Sequence, residues 1–160
     1  MKAIVAVDDK WGIGLQGKLL FTIHQDLHQF KERTIGNTIV MGRKTLNTFP
    51  GGKALPGRRN VVLSHGEQCD VSVVTVNNIA ELLRLTGKGD DVFVVGGEMV
   101  YDELLDFCDT VYVTKVDGDY HADAHFPNLD LDLDWVLSKE SEPLSENDYQ
   151  FTFCEYTKKS

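Results

Sequence analysis

Short unbroken apolar blocks alternate along this chain with stretches in which apolar residues recur every three or four positions. The blocks predict strands at 3–7, Thr38–Met41, Arg59–Leu63, 72–76, 91–95, Thr110–Val116, 135–139 and 149–156. The three-to-four spacing predicts helices at His24–Thr34, 44–47, 79–84 and 99–107, the last placing Val100, Leu104 and Phe107 on one face. The early strands are apolar throughout and are separated by helices, the pattern of parallel strands buried on both faces. The last two strands are joined by 141–148 without a helix, so they should pair antiparallel at the sheet edge. The fold class expected is therefore α/β: one domain over 1–160, with a predominantly parallel eight-stranded mixed sheet, an antiparallel C-terminal edge strand and four flanking helices.

One residue interrupts the apolar pattern in an informative way. In the helix beginning at His24, Ile23, Leu27 and Phe30 form a stripe, and Asp26 lies three residues after Ile23 and four before Phe30. A carboxylate facing the interior must be paired, protonated or used, because removing the anion from water is costly. The competing reading is an acidic residue favoured near a helix N-terminus. A hydroxyl that could orient Asp26 is Thr114, which alternates with Tyr112 and Val116 on a strand.

Charge adds a second clue. The net charge of −9 is uneven: residues 1–88 hold 12 Lys+Arg against 7 Asp+Glu, and residues 89–160 hold 4 against 18. The acidic total argues against a nucleic-acid partner, and the basic half suggests a small polyanionic ligand held there. The run Asp130-Leu131-Asp132-Leu133-Asp134 reads as a solvated loop, not a metal site, and no metal is expected. Cys69, Cys108 and Cys154 are odd in number and widely spaced, which fits neither a disulfide framework nor a zinc site and suggests a reducing cytoplasm. No apolar run is long enough for a membrane span, and the opening segment reads as a first strand, not a leader.

Two strand-to-helix junctions could hold anions. At Met41-Gly42-Arg43-Lys44-Thr45 a strand ends in glycine, and two cations and a hydroxyl open a helix. At Val94-Val95-Gly96-Gly97-Glu98-Met99-Val100-Tyr101 paired glycines let a ligand approach the backbone. The second matches neither the Walker A nor the usual dinucleotide fingerprint. Between them, Arg58 follows a Pro-Gly turn and could grip a carboxylate, while Ser64 and His65 end the next strand and suit a second anion.

Taken in order, these residues make the chain resemble the dihydrofolate reductase family from first strand to last. The matching features are Ala6, Gly12-Ile13-Gly14, Asp26-Leu27 with Phe30-Lys31, Met41-Gly42-Arg43-Lys44-Thr45, Leu55-Pro56-Gly57-Arg58-Arg59-Asn60, Val94-Val95-Gly96-Gly97 with Tyr101, Thr114, and His125-Phe126-Pro127. The resemblance implies NADPH-dependent reduction of 7,8-dihydrofolate to 5,6,7,8-tetrahydrofolate, in support of one-carbon metabolism. It implies a catalytic set of Asp26, Thr114 and Phe21. Ile4, Val5, Phe30, Lys31, Phe49, Lys53, Leu55, Arg58, Val95 and Tyr101 would complete the substrate site, with Arg58 on the α-carboxylate of the glutamate tail. NADPH would be met by Ala6, Ile13, Gly14, Gly17, Lys18, Leu19, Gly42, Arg43, Lys44, Thr45, Leu63, Ser64, His65, Gly96, Gly97, Glu98, Met99, Val100 and Tyr101.

The resemblance further implies a cis Gly96–Gly97 peptide, antifolate-type inhibitors as ligands, a stand-alone monomer and a mobile lid at 14–21. Three positions depart from the common pattern. Leu20-Phe21 stands where Pro-Trp is frequent, His24 where proline often opens the helix, and Ala124 where threonine is frequent. Two other readings are a related reductase acting on a ribosylated pyrimidine or another pterin, and a nucleotide-binding module without turnover. Asp26 and Arg58 together favour a pterin that carries a glutamate tail.

Overall fold

The computed structural model describes residues 1–66 and 72–160, so Cys69 lies outside the described residues. Contacts divide the chain into two compact units. One comprises Met1–Ala3 and Arg33–Cys108, the other Ile4–Glu32 and Asp109–Ser160.

The first unit carries the parallel ladder. Strand β1 (Lys2–Val7) begins it, and β4 (Thr38–Met41), β5 (Arg59–Leu63), β6 (Val74–Val76) and β7 (Val92–Gly96) continue it in the order β1-β7-β4-β5-β6. Every pairing in this series is parallel. All four residues of β4 and the last four of β5 are buried, as expected of apolar blocks covered on both faces. The helices of this unit are α2 (Arg43–Thr48), α3 (Ile79–Thr86) and α4 (Glu98–Leu104), the last running into a 3-10 turn at Leu105–Phe107. Helix α3 shows how local sequence sets its own ends. The Asn78 side chain accepts from the Glu81 N–H at 2.8 Å, the Glu81 carboxylate accepts from the Asn77 N–H at 3.1 Å, and Gly87 closes the helix at φ 68°.

The second unit carries the antiparallel pairings. Beyond β1 its strand order runs through β8 (Thr110–Val116) and β12 (Tyr149–Lys158) to β10 (Trp135–Glu140), with β11 (Leu144–Glu146) also paired to β12. β12 is antiparallel to β8, β10 and β11. The expected C-terminal edge pair is therefore present, and β10, exposed after Trp135, is its outer member. The 141–148 connection contains β11, a strand too short to leave a periodic signature. Three further short strands, β2 (Gly12–Leu15), β3 (Lys18–Leu19) and β9 (Ala124–His125), form a small sheet in the order β3-β2-β9. Helix α1 (His24–Thr34) begins in this unit.

The buried Asp8 carboxylate organises the turn leading into β2. It accepts from the N–H groups of Lys10 at 3.0 Å, Gly12 at 2.8 Å and Tyr120 at 2.9 Å. A Cβ added at Gly12 would lie 2.4 Å from the Ala122 Cβ and 2.9 Å from Asp8 Oδ1. Gly12→Ala is therefore expected to cost about 1–3 kcal/mol of stability, the range for overpacking a tight site, with urea unfolding as the measurement.

Candidate active site

Helix α1 brings Asp26 forward in its first turn. Ile23 is 1% exposed and Phe30 is half-buried, so the inward stripe forms as expected on that side. Leu27 corrects the reading: it is 50% exposed. Each helical residue advances about 100° around the axis, so Leu27 swings past the edge of a stripe centred on Ile23, Asp26 and Phe30.

Asp26 is half-buried and its carboxylate meets a hydroxyl from 88 positions away. Thr114 Oγ1, on the buried face of β8, donates to Asp26 Oδ1 at 2.6 Å. Burial raises the carboxyl above the usual aspartate range, and the Thr114 hydrogen bond holds it partway down. Such an environment makes Asp26 sensitive to any hydrogen-bond donor or charge placed against its remaining oxygen.

The turn that carries Asp26 has an unexpected support. The residue directly before α1 is Ile23, whose side chain has no polar atom. Instead the Glu146 carboxylate on β11 accepts from the His24 N–H at 2.6 Å and the Gln25 N–H at 3.1 Å, and lies 3.3 Å from His24 Nδ1. These bonds, led by the one from His24 N–H, hold the Glu146 carboxyl below its ordinary range. A depressed carboxyl pKa contributes stability above the unfolded-state value that is lost as pH falls through the folded-state value. Acidification through that window is therefore expected to lower the exchange protection factors in the first turn of α1 before those of the rest of the helix. Protection lost evenly along α1 would contradict it.

Phe21 packs edge-on against Tyr120 and Tyr149, with ring centroids 4.9 and 5.9 Å away, beside the cluster of Ile23, Val116 and Phe151. In the same unit Val5 and Ile13 are buried, Ile4, Ala6 and Gly14 half-buried, and Gly17, Lys18, Leu19 and Lys31 exposed. Residues 14–21 include β3 and part of β2. Gln16 N–H donates to the Asp123 carboxylate at 3.0 Å, and Asp123 N–H donates to the Gly14 carbonyl at 2.9 Å.

In the first unit the two glycine junctions meet. Gly42 N–H donates to the Gly96 carbonyl at 2.9 Å, and the Gly96–Gly97 peptide is cis. Gly96 has φ 136°, and a Cβ there would lie 3.0 Å from Thr45 Oγ1; one at Gly97 would lie 3.3 Å from the same atom. Val100 and Tyr101 are buried in the first turns of α4. Arg43 Nη2 donates to Ser64 Oγ at 3.4 Å, while Lys44 and His65 are exposed, Leu63 buried, Glu98 half-buried and Met99 71% exposed. Glycines without room for a side chain, a hydroxyl against both, and cations beside a serine form a donor set suited to a phosphorylated dinucleotide.

Arg58 is half-buried, and its orientation is already set. Its Nε donates to the Pro56 carbonyl at 3.0 Å and its Nη1 to Thr34 Oγ1 at 3.2 Å. Phe49, Leu55 and Val95 are half-buried and Lys53 is exposed. Among the described residues no group of three or more His, Cys, Asp or Glu is arranged to hold a metal, and no helix is long and apolar enough to cross a membrane.

A family model described as dihydrofolate reductase matches residues 1–158. The chain belongs to the dihydrofolate reductase family. The dihydrofolate reductase of Bacillus subtilis (strain 168) is 32% identical over 160 residues, covering 98% of this chain and 94% of that protein. The dihydrofolate reductase of Staphylococcus aureus (strain MSSA476) is 34% identical over 143 residues, covering 89% and 86%. Among solved structures, dihydrofolate reductase from Enterococcus faecalis, complexed with NADP(H) and RAB-propyl, superposes with TM-score 0.87 at 31% identity, covering 99% of this chain and 96% of that one. The α/β class, the predominantly parallel mixed sheet with its antiparallel C-terminal strands and the four helices are those of this reductase family. Three supports within this reductase went unseen in the sequence: Glu146 beneath α1, Asp8 beneath β2, and the ion pair of Lys115 with Asp130 at 2.8 Å, where Tyr156 also donates at 2.6 Å. Only Asp8 left a signal, as a carboxylate ending an apolar strand.

Proposed function

We propose that this chain catalyses NADPH-dependent reduction of 7,8-dihydrofolate to 5,6,7,8-tetrahydrofolate, with Asp26 as the group that holds the pterin. The observation that carries this reading is a half-buried carboxylate aligned by a threonine hydroxyl, in a chain of this family. NADPH, when bound, supplies the hydride. The chain's residues supply position and charge. Asp26 accepts hydrogen bonds from the pterin's 2-amino group and ring N–H, and Thr114 occupies one of its oxygens and so fixes the carboxylate plane. As the ring nitrogen beside the reacting carbon gains a proton, positive charge develops there, and a fixed anion at Asp26 favours it. The proton arrives through water, and Phe21 has no N–H with which to order that water.

Arg58 receives the α-carboxylate of the glutamate tail, with Lys31 and Lys53 as further cations, and Phe30, Phe49 and Leu55 receive the aminobenzoyl ring. Ile4, Val5, Val95 and Tyr101 complete the pterin contacts. Ala6, Ile13 and Gly14 serve the nicotinamide. Gly17, Lys18 and Leu19 belong to a lid over residues 14–21 whose hydrogen exchange should slow when ligands bind. Gly42, Lys44, Thr45, Gly96, Gly97, Glu98, Met99, Val100 and Tyr101 serve the pyrophosphate side. Arg43, Leu63, Ser64 and His65 serve the 2′-phosphate end, which favours NADPH over NADH. The chain acts as a single-domain monomer in the cytoplasm, a setting in keeping with the free thiols of Cys108 and Cys154. Loss of reduced-nicotinamide absorbance with dihydrofolate as sole oxidant tests the activity. Binding of NADPH without turnover would leave only the nucleotide-binding module.

A further inference from the structure

The geometry points to Glu146 as a positioning residue for Asp26, acting through the backbone of the first turn of α1. This deepens the reading above and rests on Asp26 being the substrate carboxylate.

Asp26 is held at two points. Its carboxylate is fixed by Thr114 on β8, and the backbone one and two residues before it is fixed by Glu146 on β11. A third contact reinforces the second, since Gln25 Nε2 donates to the Ser145 carbonyl at 3.3 Å. The two anchors belong to one hydrogen-bonded ladder. Glu146 pairs with Tyr149 on β12, and further along the same strand Phe153 pairs with Thr114. The helix start is therefore fixed to the same frame that carries its hydroxyl partner.

Chemistry explains why a carboxylate holds this place. The first N–H groups of a helix have no partner within it, and an anion with two oxygens can accept from two of them at once. A side chain that accepts only one leaves the other to water and lets the first turn rotate. A rotation of that turn moves the Asp26 carboxylate directly. Small misplacements of a group that binds the reacting ring lower the rate far more than they lower affinity for the remainder of the ligand.

Among the described residues the Glu146 carboxylate bonds His24 and Gln25, so an effect that acts by this route must vanish when Asp26 is disabled. The test is a double-mutant comparison of turnover with saturating NADPH and dihydrofolate. Glu146→Gln in the native chain is expected to lower turnover about 3–10-fold while leaving NADPH affinity unchanged. In an Asp26→Asn background the same substitution is expected to change turnover by less than about twofold. An equal fold-loss in both backgrounds, or no loss in the native chain, overturns the inference. Should the glutamine variant lose its fold, Glu146→Asp keeps the charge, shortens the reach by one methylene and carries the same comparison. If Asp26→Asn by itself leaves turnover unchanged, the assignment of Asp26 has failed. If Asp26→Asn is impaired and Glu146→Gln is not, only the positioning role has failed.

Discussion

Asp26→Asn is expected to lower turnover at neutral pH by at least about 100-fold, the lower range for a group acting in proton-linked transition-state stabilisation, while NADPH affinity stays nearly intact. Asparagine keeps an oxygen for the Thr114 hydroxyl, which now stands 2.6 Å from Asp26 Oδ1, so the helix and its neighbours are undisturbed. What is lost is the negative charge beside the ring that must gain a proton. As pH falls, solvent supplies that proton more readily, so the residual activity of the variant should rise towards acid. Equal loss of cofactor affinity, measured by fluorescence titration, would contradict the assignment. Stability should move the other way. Folding raises the Asp26 carboxyl pKa through burial, so the native chain is relieved of this cost below the unfolded-state value and bears it in full once pH has risen through the folded-state value. The asparagine variant escapes that cost. It should melt at a higher temperature than the native chain at neutral pH, and the gap should close in acid.

Arg58→Leu is expected to weaken dihydrofolate binding by about 2–5 kcal/mol, roughly 30-fold to several thousand-fold, as for removal of one partner of a desolvated charge pair. The guanidinium is pre-set by its bonds to the Pro56 carbonyl and the Thr34 hydroxyl, and Thr34 is fully buried. A fork held in place loses little entropy when a carboxylate arrives, and this is why arginine suits the position better than lysine. The effect should appear in KM, with turnover at saturation and NADPH affinity little altered. A pterin without the glutamate tail supplies the control. If both proteins reduce it equally while dihydrofolate distinguishes them, Arg58 reads the tail; if the variant loses both substrates alike, its role is structural.

Asp26 and Arg58 could be singled out in the sequence as candidates for different reasons. Asp26 stood out because a charge broke a helical apolar stripe, a signal that depends only on residues within one turn of each other. Arg58 stood out because a Pro-Gly turn preceded a strand. Leu27 was misread because a stripe inferred from spacing has no sharp edge, and the neighbours that decide which side is covered are distant in sequence. Glu146 gave no signal, since it lies in a short strand without periodicity and its partners are 121 and 122 positions away.

The elements themselves follow from local chemistry. Thr38–Met41, Arg59–Leu63, Thr110–Val116 and His24–Thr34 take the bounds their apolar patterns imply, because side chains alternate along strands and return every 3.6 residues along helices. Those repeats, and the ordered motifs at the strand ends, are written in neighbouring residues and need no knowledge of the remainder of the chain. Strand order and the pairing of Thr114 with Asp26 belong to another level. So do the Glu146 cap beneath α1 and the bond from the Tyr120 N–H to Asp8. Each depends on which distant segments the closing of loops brings side by side, and a hydrogen bond between residues a hundred positions apart leaves no trace in the sequence around either of them.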